Sequence, residues 1–223
     1  MKHSVFSIVS ATALMSVLLT GCIVHVGADQ QGGNIDGVFG DIDIQSGQSA
    51  KNLSVVNGSI EMESHSSARD LETVNGSIEL ADHVSIRSAE TVNGSIEAGQ
   101  NLQVEGSLET VNGEILLQRG AEVGGDVENV NGDLRLVDAR IGGDVETYNG
   151  DVELLGNTHI QGDVAIRRSR DNSWVSWDSD REPTLTIAAN VQIDGEIVLE
   201  RPVKLKLDNP ALSSKVVRRY TDK

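Results

Sequence analysis

Aromatic residues make up only 3% of the 223 residues, proline occurs three times and cysteine once. A single cysteine excludes a disulfide framework within the chain. Scarce aromatics exclude an aromatic-rich binding cleft, so a core must be built from Val, Ile and Leu. Basic side chains are few too: 18 Lys and Arg stand against 34 Asp and Glu, for a net charge of −16. Most of such a surface repels phosphate backbones, so nucleic acid is not an expected partner, whereas a cation or a basic protein fits better. Apolar residues at 38% still suffice for one domain with a core and exclude disorder by composition. No nucleophile constellation, metal-ligand spacing or phosphate-binding loop is present, so neither a cofactor nor a metal site is expected and the chain does not read as an enzyme.

Residues Met1 to Cys22 begin with Lys2 and His3, run through an apolar stretch from Val5 to Leu19, and end in Leu19-Thr20-Gly21-Cys22. This segment resembles a bacterial lipoprotein signal peptide, with an ordinary secretory signal as the alternative. The resemblance implies cleavage before Cys22, palmitate-type acylation of that residue, and a membrane partner through the lipid. It also implies the bacterial cell envelope as location, and the outer membrane because Ile23 rather than Asp follows. The expected parts are then a signal at 1–21, a lipidated tether at 22–33, a repeat body at 34–200 and a basic C-terminal strand and tail at 201–223.

The body is a repeat. Asn-Gly recurs at 57/58, 75/76, 93/94, 112/113, 131/132 and 149/150, at spacings of 18 or 19. That period is too short for a two-helix repeat and fits one coil of a β-solenoid. Asn-Gly is also a hairpin signal, so an antiparallel meander has to be weighed. Whole coils superpose, however: Leu71-Glu72-Thr73-Val74-Asn75-Gly76 falls on Val127-Glu128-Asn129-Val130-Asn131-Gly132, apolar on apolar. The expected fold is all-β: a single-stack parallel β-helix of 18–19 residues per coil, right-handed by the usual crossover rule. About nine coils make a rod of about 40 Å.

Counted from the repeat glycine, inward columns are expected five residues before it (Leu53 to Val145) and two before it (Val56, Val74, Val92, Val111, Val130 and Tyr148). Others are expected two and four after it, from Ile42 and Ile44 to Val152 and Leu154. The spacing of three before the turn requires a bend or bulge. Asn57, Asn75, Asn93, Asn112, Asn131 and Asn149 are read as a structural ladder, the asparagine tolerating left-handed backbone before glycine. Glu72, Glu90, Glu109, Glu128 and Glu146 form a carboxylate column whose neighbours, about 4.8 Å apart, repel by about 0.9 kcal/mol even in water. Such a column keeps a repetitive surface soluble, or else binds divalent cations weakly.

The repeat breaks once, at an insertion of about residues 168–183 that holds both tryptophans, Trp174 and Trp177, beside Arg167, Arg168 and Arg170. These five residues are the candidate partner-binding site, because variable loops on rigid scaffolds carry function. The alternative is that the loop folds over the solenoid. In the tail, Val203 to Leu207 alternates like an edge strand, and the last residues read as a solvated terminus, with a basic tail for an anionic surface as the alternative.

The repeated Glu-Thr-Val-Asn-Gly-Ser-Ile-Glu and Gly-Asp-Val-Glu units resemble a bacterial adhesin-type β-solenoid family of unknown function and, more distantly, the polymerising bactofilins. The resemblance implies a non-enzymatic scaffold for adhesion or protein–protein interaction, its partner an envelope protein or a glycan. Self-assembly by end-to-end stacking into homo-oligomers is one alternative and a cation-responsive module another. A β-helix polysaccharide lyase or hydrolase is a third, which would draw on Glu153 or Asp163 near Arg167 and Arg168.

Overall fold

The computed structural model describes residues 32–168 and 181–220. All of the paired strands run parallel and stack into three sheets, as a β-solenoid requires and a meander does not. The first sheet holds ten strands from Ile35–Phe39 to Val216–Arg218, and the second holds nine from Ile42–Ile44 to Lys204–Leu207. A third sheet of six two-residue strands runs from Ser85–Ile86 to Gln192–Ile193. Register is kept throughout, Leu108 lying opposite Val127 and Asn112 opposite Asn131.

The core is aliphatic. Leu53, Leu71, Leu108, Ile60, Ile78, Ile96, Ile115 and Leu134 are all at most 1% exposed. The expected valine column is a correction: Val56, Val74, Val92, Val111, Val130 and Tyr148 are only half-buried on the outer face. The residue before each points inward instead: Val55, Thr73, Thr91, Thr110, Asn129 and Thr147 are at most 4% exposed. The strand therefore alternates normally and needs no bulge. Three of these threonines are tolerated in the core because the hydroxyl has a partner, whereas Oγ1 of Thr147 is buried without one. Thr73, Thr91 and Thr110 donate from Oγ1 to the carbonyls of Gly58, Gly76 and Gly94 at 2.9–3.0 Å.

The role of the turn asparagine is also corrected. The repeat Asn residues close their strands without positive φ. Left-handed backbone falls at another corner, where Gly47, His65, His83, Asn101, Gly120, Asp138 and Gly156 stack with φ between 48° and 81°. The repeat glycine is needed for close approach: a Cβ at Gly94 would lie 2.0 Å from the carbonyl oxygen of Gly76.

Much of the acid excess holds backbone. Asp126, Asp144 and Asp163 each accept, through Oδ1, the amide one coil on, from Asp144, Asp163 and Glu196, at 2.7 Å. Asp133 and Asp151 do the same for Asp151 and Thr184 at the next corner. The insertion leaves the stack intact, since Val152–Leu155 pairs directly with Thr184–Ile187.

The solenoid also runs further than expected. Lys204–Leu207 and Val216–Arg218 are paired strands, joined through a 3-10 helix, Pro210–Lys215, that buries Leu212. Lys204–Leu207 is thus the expected edge strand of the second sheet, and Val216–Arg218, read from sequence as part of a solvated terminus, is a paired strand that completes a closing coil, because Leu205, Leu207 and Val216 continue the core columns.

Candidate functional site

A trough of about 990 Å³ runs along the outer face of the third sheet. Its strands are two residues long, and Gly124 and Gly142 leave two middle positions of the column after them without side chains. Arg69 and Arg87 line one end, Glu105 and Glu122 the middle, and Arg140 and His159 the other end. Most of these charges are already engaged. Arg87 donates to Asp70 through Nε and Nη2, Arg140 lies 3.2 Å from Glu122, and His159 lies 3.0 Å from Asp194. Burial works against the Asp70 carboxylate, yet hydrogen bonds from Arg87 and Ser88 keep it below its usual range.

Of the expected partner-binding residues, Arg170, Trp174 and Trp177 lie outside the described residues, as does Cys22. Arg167 is described and spent on structure. It hydrogen-bonds Glu146 twice and Glu200 at 3.2 Å, and this pairing raises its pKa. The Arg168 side chain is exposed, and its backbone amide donates to Glu200 at 3.3 Å. Glu153 pairs with Arg135 at 2.6 Å, and Asp163 carries its backbone bond to Glu196. Of the groups nominated for catalysis, Glu153, Asp163 and Arg167 therefore have structural partners.

The expected carboxylate column exists in register: Glu72, Glu90, Glu109, Glu128 and Glu146 lie on successive strands of the first sheet. Glu146 is neutralised by Arg167, but no ion pair reaches Glu90, Glu109 or Glu128 among the described residues. Burial first, and adjacent carboxylates second, push Glu90 and Glu128 up to about 7 and raise Glu109 as well. Oε1 of Glu90 is buried without a hydrogen-bond partner. Among the described residues no three His, Cys, Asp or Glu side chains converge to hold a metal ion, because the column supplies one carboxylate per coil.

The six asparagines form a directional chain. Asn149 donates Nδ2 to Oδ1 of Asn131, and so on down to Asn57, in steps of 2.9–3.0 Å. Phe39 occupies the next place, so Asn57 donates instead to the Val38 carbonyl at 3.3 Å. The acceptor end is closed by Arg201, whose guanidinium donates to Asn149 Oδ1 at 2.7 Å. Sequence reasoning missed Arg201 because it stands 52 residues from its partner, across the insertion.

These features define a parallel β-solenoid with a structural amide ladder, a carboxylate column paired at its Glu146 end, and a polar trough. Compared with protein-family models, curated proteins and solved structures, the chain finds no match in any of the three.

Proposed function

We propose that this protein is a non-enzymatic envelope scaffold, tethered by lipid at Cys22, whose rigid solenoid presents adhesive or protein-binding surfaces. The observation that carries the proposal is that three of the four charged groups nominated for chemistry are built into the stack. Arg167 joins Glu146 to Glu200, Glu153 pairs with Arg135, and Asp163 holds a backbone amide. The adhesin-type resemblance and the lipoprotein-like segment ending at Cys22 support the same reading.

The test compares the full chain with versions carrying Cys22→Ala or lacking residues 168–183, expressed in a Gram-negative host. Expected are incorporation of radiolabelled palmitate that Cys22→Ala abolishes, and an envelope cross-link that the loop deletion abolishes. Turnover of an envelope glycan that Arg167→Ala destroys would overturn the proposal. As for cation response, the column offers single stacked carboxylates, a geometry that favours protons over a divalent ion as the species that relieves its charge.

A further inference from the structure

The closing coil differs from the body it caps. Residues 201–220 carry Arg201, Lys204, Lys206, Lys215, Arg218 and Arg219 against one acid, Asp208, while residues 32–168 carry 8 Lys and Arg against 24 Asp and Glu. Folding gathers these cations at one tip, since Lys204–Leu207 ends the second sheet and Val216–Arg218 ends the first. Arg201 is used on Asn149, and the Lys215 ammonium donates to the carbonyl of Asp194 at 2.8 Å. Lys204, Lys206 and Arg218 are exposed and have no ion pair among the described residues. Between the cations, Val203, Leu205, Leu207, Val216 and Tyr220 pack on the core yet stay half-exposed. Their counterparts in the middle coils are buried because a further coil covers them.

We propose that this tip docks end-on against an anionic lipid surface. Its cations attract phosphate headgroups, and its half-exposed aliphatic and tyrosine side chains suit the interfacial layer beneath them. The acidic flanks are repelled by the same surface, so approach by the tip alone is favoured and the rod stands upright. A soluble polyanion would satisfy the cations but leave Leu205 and Leu207 in water, which is why a lipid surface is the better occupant. The inference does not depend on acylation at Cys22.

The test sediments the full chain, as Cys22→Ser, with vesicles of phosphatidylcholine alone or of phosphatidylcholine with phosphatidylglycerol. Binding is expected to require the anionic lipid and to weaken with salt. Lys204→Gln with Lys206→Gln should lower partitioning about 30-fold, at about 1 kcal/mol per cation. Arg119→Gln with Arg140→Gln removes the same charge from the flanks and should leave binding unchanged, all variants retaining the circular dichroism of the parent. Equal losses from the two pairs would overturn the proposal, as would equal binding to neutral vesicles. So would a preference for soluble polyphosphate over vesicles, or self-association without lipid that the lysine pair abolishes.

Discussion

Glu90 and Glu128 make the fold more stable in mild acid than at neutral pH. Both carboxyls are raised from 4.5 to about 7 by burial and then by the glutamates above and below them. Between these values the folded protein keeps protons that the unfolded chain has released. Stability is therefore full below about pH 4.5, falls as pH rises to about 7, and stays at its lower level beyond. A displacement from 4.5 to about 7 corresponds to about 3 kcal/mol per carboxyl. Partial contact with water reduces this to about 1 kcal/mol each, or about 2 kcal/mol together. For a chain of this size that is a change in Tm of about 4–8 °C. Asp70 and Asp138 act in a different window: both are lowered from 3.8, so their contribution is lost only as pH falls below that value. The assay is thermal unfolding followed by circular dichroism from pH 5 to 8. Glu90→Gln with Glu128→Gln should flatten the pH slope and raise Tm at pH 8. An unchanged slope, or a lower Tm at pH 8, would refute the reasoning.

Gly94→Ala should cost at least about 3 kcal/mol and abolish a cooperative melt, because its Cβ would stand 2.0 Å from a backbone carbonyl that cannot move without its whole coil. Gly37→Ala, whose Cβ would meet Val55 at an ordinary 3.7 Å, should melt within a few degrees of the parent. Arg201→Gln removes the charged donor that ends the amide chain on Asn149 and should cost about 1.5–3 kcal/mol, read as Tm, with Arg201→Lys recovering part of it.

Coil length, parallel stacking and the amide ladder were legible because each is a repeat-wide property. Asn at one spacing of 18 or 19 is ambiguous, whereas Asn at five such spacings on matching flanks is not. Inward and outward assignment before the turn was misread because hydrophobicity was ranked above alternation. Valine looks more like core than threonine, yet the Thr73 hydroxyl has a carbonyl to meet on Gly58, and Val74 takes the outer face. Alternation showed the edge strand at Lys204–Leu207, but Val216–Arg218 was missed because a 3-10 helix without the Asn-Gly mark precedes it. Arg87 with Asp70, and Arg201 with Asn149, lay beyond sequence reasoning because ion pairs and caps carry no periodic signal.

The arrangement also explains where function can reside. A residue in the middle of a column is held by one neighbour below and another above, as Asn93 is by Asn75 and Asn112. Changing it disturbs two contacts at once, so central columns are constrained by stacking. Besides the first coil, whose strands Ile35–Phe39 and Ile42–Ile44 start their sheets among the described residues, two places escape this constraint. One is the insertion after residue 168, which leaves the register between Val152–Leu155 and Thr184–Ile187 undisturbed. The other is the closing coil, which has a neighbour on one side alone. Charge changes character at the second of these, where an acidic body gives way to a basic tip. Because the columns spend most of their polar groups on one another, the sites where stacking stops are those where side chains can change without breaking a column.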